Sequence, residues 1–258
     1  MRNSFYIFKK EMSAYFCSPI AYVLITIFIL LSGNFFFNFL SYYNFLAFSV
    51  GMRSAQMGSQ FNVLEMVLRP LYSNIAIVLL FMVPLLTMRL FSEEKKMGTI
   101  ELLFTYPVRD REIILGKFGA CFAVYGIMMA MTFVYPLMIF LFGNLSWGPV
   151  FSSYLGLLLM GASYISVGIL LSSMTENQIV AGSLTFGILL IFWVIDASER
   201  FVGPGLGVVF KDLSIIGHFE NFSKGVIDTR DIIFYLNFSI LFTFLTLCSL
   251  ESKKWRGQ

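Results

Sequence analysis

Residues 118–175 read FGACFAVYGIMMAMTFVYPLMIFLFGNLSWGPVFSSYLGLLLMGASYISVGILLSSMT. This stretch contains no Asp, Glu, Lys or Arg and is far longer than the roughly 20 apolar residues that cross a bilayer as one helix. It is broken once, at Gly143-Asn-Leu-Ser-Trp-Gly-Pro149, a composition typical of a turn. Because its apolar runs are continuous rather than alternating, they indicate helices. The stretch therefore predicts a tight hairpin of two membrane-spanning helices.

The composition of the whole chain agrees with a membrane protein. Of its 258 residues 58% are apolar and only 13% are charged, and the mean hydropathy is +0.80. A soluble domain has about a quarter of its residues charged. Three Cys are too few for a disulfide scaffold, and with a single His they form no metal-ligand spacing. A net charge of +3 does not indicate a nucleic-acid partner. We therefore predict no cofactor and no metal.

Charge-free runs place the remaining spans. We predict one all-α integral membrane domain over residues 1–258, with six transmembrane helices at about 20–40, 71–91, 114–142, 150–171, 178–196 and 232–250. Before the first span, at about residues 3–17, apolar side chains recur at helical spacing: Phe5, Phe8, Met12, Tyr15 and Phe16. This pattern favours a short interfacial helix lying on the membrane. A frayed tail is the alternative.

The distribution of basic residues predicts the orientation. About two thirds of the 18 Lys and Arg residues fall on the side that carries both termini and the segment between the second and third spans. Cytoplasmic loops are enriched in Lys and Arg. We therefore expect both termini to be cytoplasmic.

The segment at residues 92–112 is the richest in such charges. Ser92 is a residue type that caps helices, and an apolar stripe at helical spacing follows it: Met97, Ile100, Leu103 and Phe104. Pro107 disfavours helix at the residue before it, and Asp110 is a candidate cap for the next helix. The segment predicts a short amphipathic helix joined rigidly to two membrane helices, and a positively flanked surface loop is the alternative.

The stretch at residues 197–231, on the other side of the membrane, is too short to cross and return as spans. Gly203, Pro204 and Gly205 are residue types that interrupt helices, so they predict a turn or loop. Apolar residues then recur at helical spacing: Leu213, Ile216, Phe219 and Phe222. This predicts a re-entrant or interfacial segment, with an amphipathic cap over the last two spans as the alternative.

Catalytic and ion-carrying patterns are missing from the sequence. The Gly116-Lys117 pair has neither the first Gly nor the hydroxyl residue of a phosphate-binding loop, so ATP would be bound by another polypeptide. An intramembrane protease needs a nucleophile and a base inside the bilayer, yet the single His218 lies outside any predicted span. The clear span interiors carry no charge, which disfavours an ion-coupled carrier. We predict that the chain is not an enzyme.

One motif resembles a known family. Residues 93–107 read Glu-Glu-Lys-Lys-x-Gly-Thr-Ile-Glu-x-Leu-x-x-x-Pro and are followed by Ile114-Leu-Gly-Lys117. This pattern resembles the cytoplasmic signature of ABC-2 type transporter permeases. The segments at residues 218–231 and 249–256 are most similar to the gliding-motility-associated branch of that superfamily.

The resemblance implies a division of labour. The segment after the second span is the coupling helix, which docks on a separate ATP-binding subunit, and the matching positions are Glu93, Glu94, Gly98, Thr99, Glu101, Leu102 and Pro107. The resembling families close the outer end of their pathway with an element at the place of Gly203, Pro204, Gly205, His218 and Phe219. A second permease copy or a related permease, an accessory envelope protein and membrane lipid are the other implied partners, in a bacterial inner membrane.

Two functions fit these implications. The first is a permease subunit through which a separate ATPase drives the export or movement of a substrate. The second is a non-transporting membrane anchor through which an ATPase drives mechanical or envelope-assembly work, such as gliding motility. Both use the same coupling helix, so the sequence leaves the choice, the substrate and the direction of transport open.

Overall fold

The computed structural model describes residues 2–51, 62–99, 109–142, 145–198 and 212–256. Within these ranges the chain is helical with no strand. Six of its helical stretches are long and apolar enough to cross a membrane, at Pro19–Ser49, Leu64–Lys96, Asp110–Leu141, Trp147–Met174, Gln178–Ile195 and Thr229–Ser252. The predicted fold class, an all-α integral membrane protein, is confirmed.

The helices follow one another with short connections. They are α1 (Arg2–Cys17), α2 (Pro19–Gly51), a π-helical turn (Leu64–Leu68) that runs into α3 (Arg69–Thr87), α4 (Ser92–Lys96), α5 (Asp110–Thr132), α6 (Val134–Phe142), α7 (Trp147–Met174), α8 (Gln178–Ser198), α9 (Ile215–Ser223) and α10 (Thr229–Arg256). Only Ser18 separates α1 from α2, and Pro at the first position of α2 removes no helical hydrogen bond. The third span consists of α5 and α6, which are separated at Phe133.

Two predicted helix caps are wrong. The cap residue of α4 is Phe91, and the buried Ser92 is already the first helical residue. Its hydroxyl donates a hydrogen bond to the carbonyl of Met88, as serines inside helices often do to the preceding turn. The cap residue of α5 is Arg109 rather than Asp110.

The helix α7 is the centre of the bundle. In its most apolar 18-residue window 72% of the residues are buried, against 11% in the last span. It packs against α3, α5, α8, α9 and α10. Glycines make this packing close: a Cβ atom at Gly161 would lie 2.3 Å from the ring of Tyr125, and one at Gly168 would lie 2.1 Å from Oγ1 of Thr87. Small residues at such positions let membrane helices approach one another closely.

The two ends of α7 carry the two candidate regions of the sequence. Ser172, near its C-terminal end, contacts the connection between α3 and α4 (residues 88–92, which we call the α3–α4 corner). Gly156, nearer its N-terminal end, touches Phe222 of α9. At 1.5 Å per residue these two α7 positions are about 24 Å apart. The structure therefore places α4, which begins the coupling segment, and α9 at well-separated positions along α7.

Candidate functional site

A polar cavity of about 350 Å³ lies where α1, the α3–α4 corner and the start of α5 meet. Three of the predicted coupling residues line it: Glu93, Glu94 and Thr99. Other charged residues around the cavity come from different helices: Lys10, Glu11, Arg89 and Lys117. We call this region the coupling cavity. It is a charged recess in a protein with few charges, and it brings together residues far apart in sequence.

Lys117 is the centre of the coupling cavity. Its side chain is only 1% exposed, and its Nζ atom lies 2.8 Å from Oε1 of Glu11 and 3.0 Å from Oε2 of Glu94. The same Nζ atom donates to the carbonyl of Leu90 at 2.6 Å and lies 5.0 Å from the ring centre of Phe91. A buried charge is tolerated when it is paired and hydrogen-bonded. One ammonium group thus connects α5 to α1 and to α4.

The two contacts of Lys117 with carboxylates differ in kind. Glu11 accepts a hydrogen bond from the ammonium group. The Oε2 atom of Glu94 is buried and accepts no hydrogen bond from the part of the chain that the structure describes, although it lies at ion-pair distance from Lys117. Its contact with Lys117 is therefore electrostatic rather than directional.

Glu94 and Glu93 have different surroundings. The exposed Lys10 lies 3.3 Å from Oε1 of Glu94, so both carboxylate oxygens of Glu94 face a cation. The side chain of Glu93 is partly exposed at the same cavity, and within the described residues its carboxylate has no hydrogen-bond or ion-pair partner. Glu94 is thus already used inside the protein, whereas Glu93 is available to a partner.

Close contact between α1 and α5 makes this geometry possible. A Cβ atom at Gly116 would lie 2.8 Å from Cβ of Ile7 and 2.9 Å from the carbonyl oxygen of Ser4. Only a glycine lets the backbone of α1 come this near. Because Gly116 precedes Lys117, the close crossing puts the ammonium group within reach of Glu11.

A second set of contacts fixes α1 to the end of α3. The hydroxyl of Tyr15 donates to the carbonyl of Leu86 at 2.8 Å, and the guanidinium of Arg89 lies 4.5 Å from the Tyr15 ring centre. Arg89 also donates to the carbonyl of Ala14 at 3.3 Å. Burial raises the pKa of Tyr15 well above its ordinary value, so the phenol remains a neutral donor.

The α3–α4 corner is held by α7. The Oγ atom of Ser172 accepts hydrogen bonds from the backbone N–H groups of Phe91, at 3.0 Å, and Ser92, at 3.2 Å. The same hydroxyl donates to the carbonyl of Met88 at 3.0 Å. Lys95 donates to the carbonyl of Ser173. The corner is therefore attached to the central helix by its backbone, independently of the ion pairs of Lys117.

The predicted coupling residues are described only in part. Gly98 has a φ of +67°, a left-handed conformation that favours glycine, and it follows directly on the turn that ends α4. Thr99 donates through both its backbone N–H and its hydroxyl to the carbonyl of Glu94. Glu101, Leu102 and Pro107 lie outside the described residues, as do Ile100, Leu103 and Phe104 of the predicted apolar stripe.

The segment that contains α9 and leads into α10 (residues 212–231, which we call the α9 segment) has a buried polar cluster. The Nδ1 atom of His218 lies 2.6 Å from Oδ1 of Asp231, and Asn221 donates to Oδ2 of Asp231 at 2.9 Å. The other ring nitrogen of His218 lies 3.3 Å from the backbone carbonyl of Asp212, so it faces no nucleophile. This group ties α9 to the start of α10.

Phe219, the other predicted residue of this segment that is described, packs on α7. A Cβ atom at Gly156 would lie 3.0 Å from its ring and 2.6 Å from Cβ of Phe222. The structure thus places His218 and Phe219 in one helix. Gly203, Pro204 and Gly205 lie outside the described residues.

Four charged residues of the coupling cavity, Lys10, Glu11, Arg89 and Lys117, are not among the predicted site residues, and Glu11 and Lys117 matter most. In the sequence Lys117 stands out only as the end of the family signature, and no pattern marks Glu11. A lysine next to a glycine at the membrane end of a span is the signal for such a site, because the glycine marks a close helix crossing.

Fold and site together define a multi-pass membrane protein with a charged recess at one end of its bundle, where a short helix after the second span meets the first helix and the third span. A family model for "ABC-2 family transporter protein" matches residues 5–202, more than three quarters of the chain. The chain belongs to this ABC-2 transporter family. A comparison with curated proteins finds no significant match.

Family membership confirms the coarser part of the prediction. The chain is a permease component of an ABC transporter, a class of membrane subunit that works with an ATP-binding partner. In the described residues, no group of three or more His, Cys, Asp or Glu is arranged to hold a metal ion.

Proposed function

We propose that this protein couples ATP hydrolysis by a separate ATPase to the export of a substrate, and that the ATPase docks at the coupling cavity. The observation that carries the proposal is the ion-pair cluster of Lys117 with Glu11 and Glu94. It links three elements, α1, α4 and α5, and α4 is the start of the segment that carries the family signature.

The contacts around α4 form a rigid connection to the membrane helices. A partner that pushes on α4 can move the membrane helices only if the contact surface is stiff. Lys117 joins α4 to α5, Tyr15 joins α1 to α3, and Ser172 joins the corner to α7. Packed elements of this kind shift as units rather than deform. A displacement of α4 is therefore passed to three membrane helices at once.

Glu93 is the residue we assign to docking. Its carboxylate has no partner within the described residues, lies in the coupling cavity and belongs to the first turn of α4. We infer that it meets a basic side chain of the ATPase. Gly98 permits close approach of that subunit, because apart from its chain neighbours no atom of the described residues lies within 4 Å of where its Cβ would be.

Reversing the charge of Glu93 tests this assignment. We expect Glu93→Lys to insert and accumulate normally but to weaken ATPase association at least about tenfold, because like charges would face each other in the interface. The measurement is co-purification of the endogenous ATPase from native membranes, together with the ATPase activity of the purified complex.

Glu251→Lys is the matched control, since Glu251 is exposed on α10, on the same side of the membrane in the proposed orientation, and the charge change is the same. The docking assignment is wrong if Glu93→Lys retains the ATPase, or if Glu251→Lys releases it to the same extent.

The proposed orientation puts both termini and α4 in the cytoplasm of a bacterial inner membrane, supported by the asymmetry of Lys and Arg. We expect a cysteine at position 252 to be protected from a membrane-impermeant maleimide in whole cells, and one at position 146 to be labelled. Ser252→Cys and Ser146→Cys are made in a chain without Cys17, Cys121 and Cys248. Labelling of both, or of neither, in intact cells would contradict an outward hairpin between α6 and α7.

The α9 segment is the proposed outer closure of the pathway. The pair of His218 and Asp231 fixes α9 on α10, while Phe219 and Phe222 press on Gly156 of the central helix. A movement of α9 would therefore change its contacts with both α7 and α10. This supports a role in closing the outer end of a pathway formed with a second permease copy.

The mechanical alternative uses the same joint. An anchor in a gliding-motility system would also need an ATPase at Glu93 and a stiff connection through Lys117, and the similarity of residues 218–231 and 249–256 to that branch supports it. An accessory envelope protein would then take the place of the substrate. Stimulation of ATPase activity by a candidate substrate in sealed vesicles would favour transport over this alternative.

A further inference from the structure

A second cavity, of about 750 Å³, is a groove on the membrane-facing side of the bundle. It lies between α5, α7 and α10 and is lined almost entirely by apolar side chains, among them Leu115, Phe118, Leu158, Ile240 and Phe244. We call it the lipid groove. Neither the coupling cavity nor the α9 segment accounts for it.

The dimensions of the lipid groove match one acyl chain. Its lining on α10 runs from Tyr235 to Leu247 and that on α5 from Arg111 to Phe122. At 1.5 Å per residue these are about 18 Å and 17 Å. The hydrocarbon core of a bilayer is about 30 Å thick, so the groove spans a little more than one leaflet.

A single cation stands among these apolar residues. Arg111 lines the groove, its side chain is exposed, and within the described residues its guanidinium has no hydrogen-bond or ion-pair partner. It lies in the first turn of α5, a helix of 23 residues, whose N-terminal end carries partial positive charge. Guanidinium groups bind phosphate in a bidentate manner.

We propose that the lipid groove binds an anionic phospholipid, drawn from the leaflet on the side of the coupling segment. Its acyl chain lies between α5, α7 and α10, and its phosphate is held by Arg111. A second copy of the chain is a poorer occupant, because its apolar surface would leave Arg111 without a counter-ion. Binding of this lipid does not depend on docking of the ATPase.

Lipid retention tests the proposal. The purified, delipidated protein is incubated with equimolar phosphatidylglycerol and phosphatidylcholine in detergent, and bound lipids are counted by native mass spectrometry. We expect wild type to retain phosphatidylglycerol in preference to phosphatidylcholine. In Arg111→Gln the ratio of bound phosphatidylglycerol to bound phosphatidylcholine should fall about fivefold, the effect of one basic residue at an anionic lipid surface. Lys9→Gln is the matched control, since Lys9 is also exposed and lies on α1, outside the groove.

A second pair of variants tests the groove itself. Ile240→Trp places a large ring in the lipid groove and should reduce retention of both lipids. Ile191→Trp, at a similarly exposed isoleucine of α8, should leave retention unchanged. Both isoleucines are exposed, so folding should be unaffected, and unchanged elution from a size-exclusion column verifies this.

Three results would overturn the proposal. Wild type could retain both lipids equally, Lys9→Gln could lose the preference as much as Arg111→Gln, or Ile240→Trp could convert dimers to monomers without changing lipid retention. The last result would assign the groove to a second copy.

Discussion

Lys117→Met is expected to lower the free energy of unfolding by about 3–5 kcal/mol, the cost of removing one partner from a buried ion pair. Methionine keeps the unbranched shape of the side chain but leaves the carboxylate of Glu11 without its cation and that of Glu94 with only the exposed Lys10. The protein should unfold at a lower temperature in detergent. Any ATPase that still binds should hydrolyse ATP with weaker coupling, because α4 is no longer joined to α5 and keeps only its attachment to α7.

Lys10→Met is the control that separates burial from charge. Lys10 also pairs with Glu94, but its side chain is 66% exposed, so its removal should cost only about 0–1 kcal/mol. In the background of Glu11→Gln and Glu94→Gln, Lys117→Met should recover much of the lost stability, because the unpaired charges are gone. Equal effects of Lys10→Met and Lys117→Met would refute the central role of Lys117.

Gly168→Ala is expected to have the second largest effect, about 3 kcal/mol of destabilisation, at the upper end of the usual range for overpacking. The added Cβ would lie 2.1 Å from Oγ1 and 2.5 Å from Cβ of Thr87. Thr87 is fully buried and hydrogen-bonded to the carbonyl of Val83, and its β-branched side chain has few alternative rotamers. The helices α3 and α7 must therefore separate, which is measured as a lower unfolding temperature and reduced accumulation in the membrane.

Gly187→Ala on α8 provides the comparison. Outside its own helix turn, no atom of the described residues lies within 4 Å of the Cβ position there, so the change should be neutral or stabilising by up to about 1 kcal/mol through the better helix propensity of alanine. Thr87→Ala combined with Gly168→Ala should recover part of the loss, since two of the three clashing atoms are removed. If Gly187→Ala is as harmful as Gly168→Ala, the effect belongs to membrane glycines in general and not to this contact.

The sequence was sufficient for the fold class because bilayer spans are determined by composition and length alone. The charge-free run from Phe118 to Thr175 with its Gly- and Pro-containing break corresponds to α5, α6 and α7, and the six spans are confirmed. The helical spacing of Phe8, Met12 and Tyr15 predicted a helix where α1 lies. The length and composition of a span and the helical spacing of its side chains are properties of residues close together in the sequence. They can therefore be predicted without knowledge of the tertiary structure.

The candidate site was predictable only where a family signature marks it. Glu93, Glu94, Gly98 and Thr99 were singled out by the signature, but nothing in the sequence joins Glu11 to Lys117, more than a hundred positions away. That pair exists because Gly116 lets α1 cross α5 closely, a property of tertiary packing. The prediction that Ser92 caps α4 failed for a related reason: Ser92 is buried beside Ser172 of α7, and its hydroxyl donates to the carbonyl of Met88 in the preceding turn.

The hydrogen bonds of Ser172 also bear on how the protein is made. The amides of Phe91 and Ser92 belong to the second span, whereas the hydroxyl that accepts from both belongs to the fourth. A nascent chain that has inserted only three spans therefore presents this corner without its acceptor, and the corner is completed when α7 arrives. The docking surface thus reaches its final form only in a protein whose central helix is in place, so a half-built permease offers the ATPase an incomplete surface.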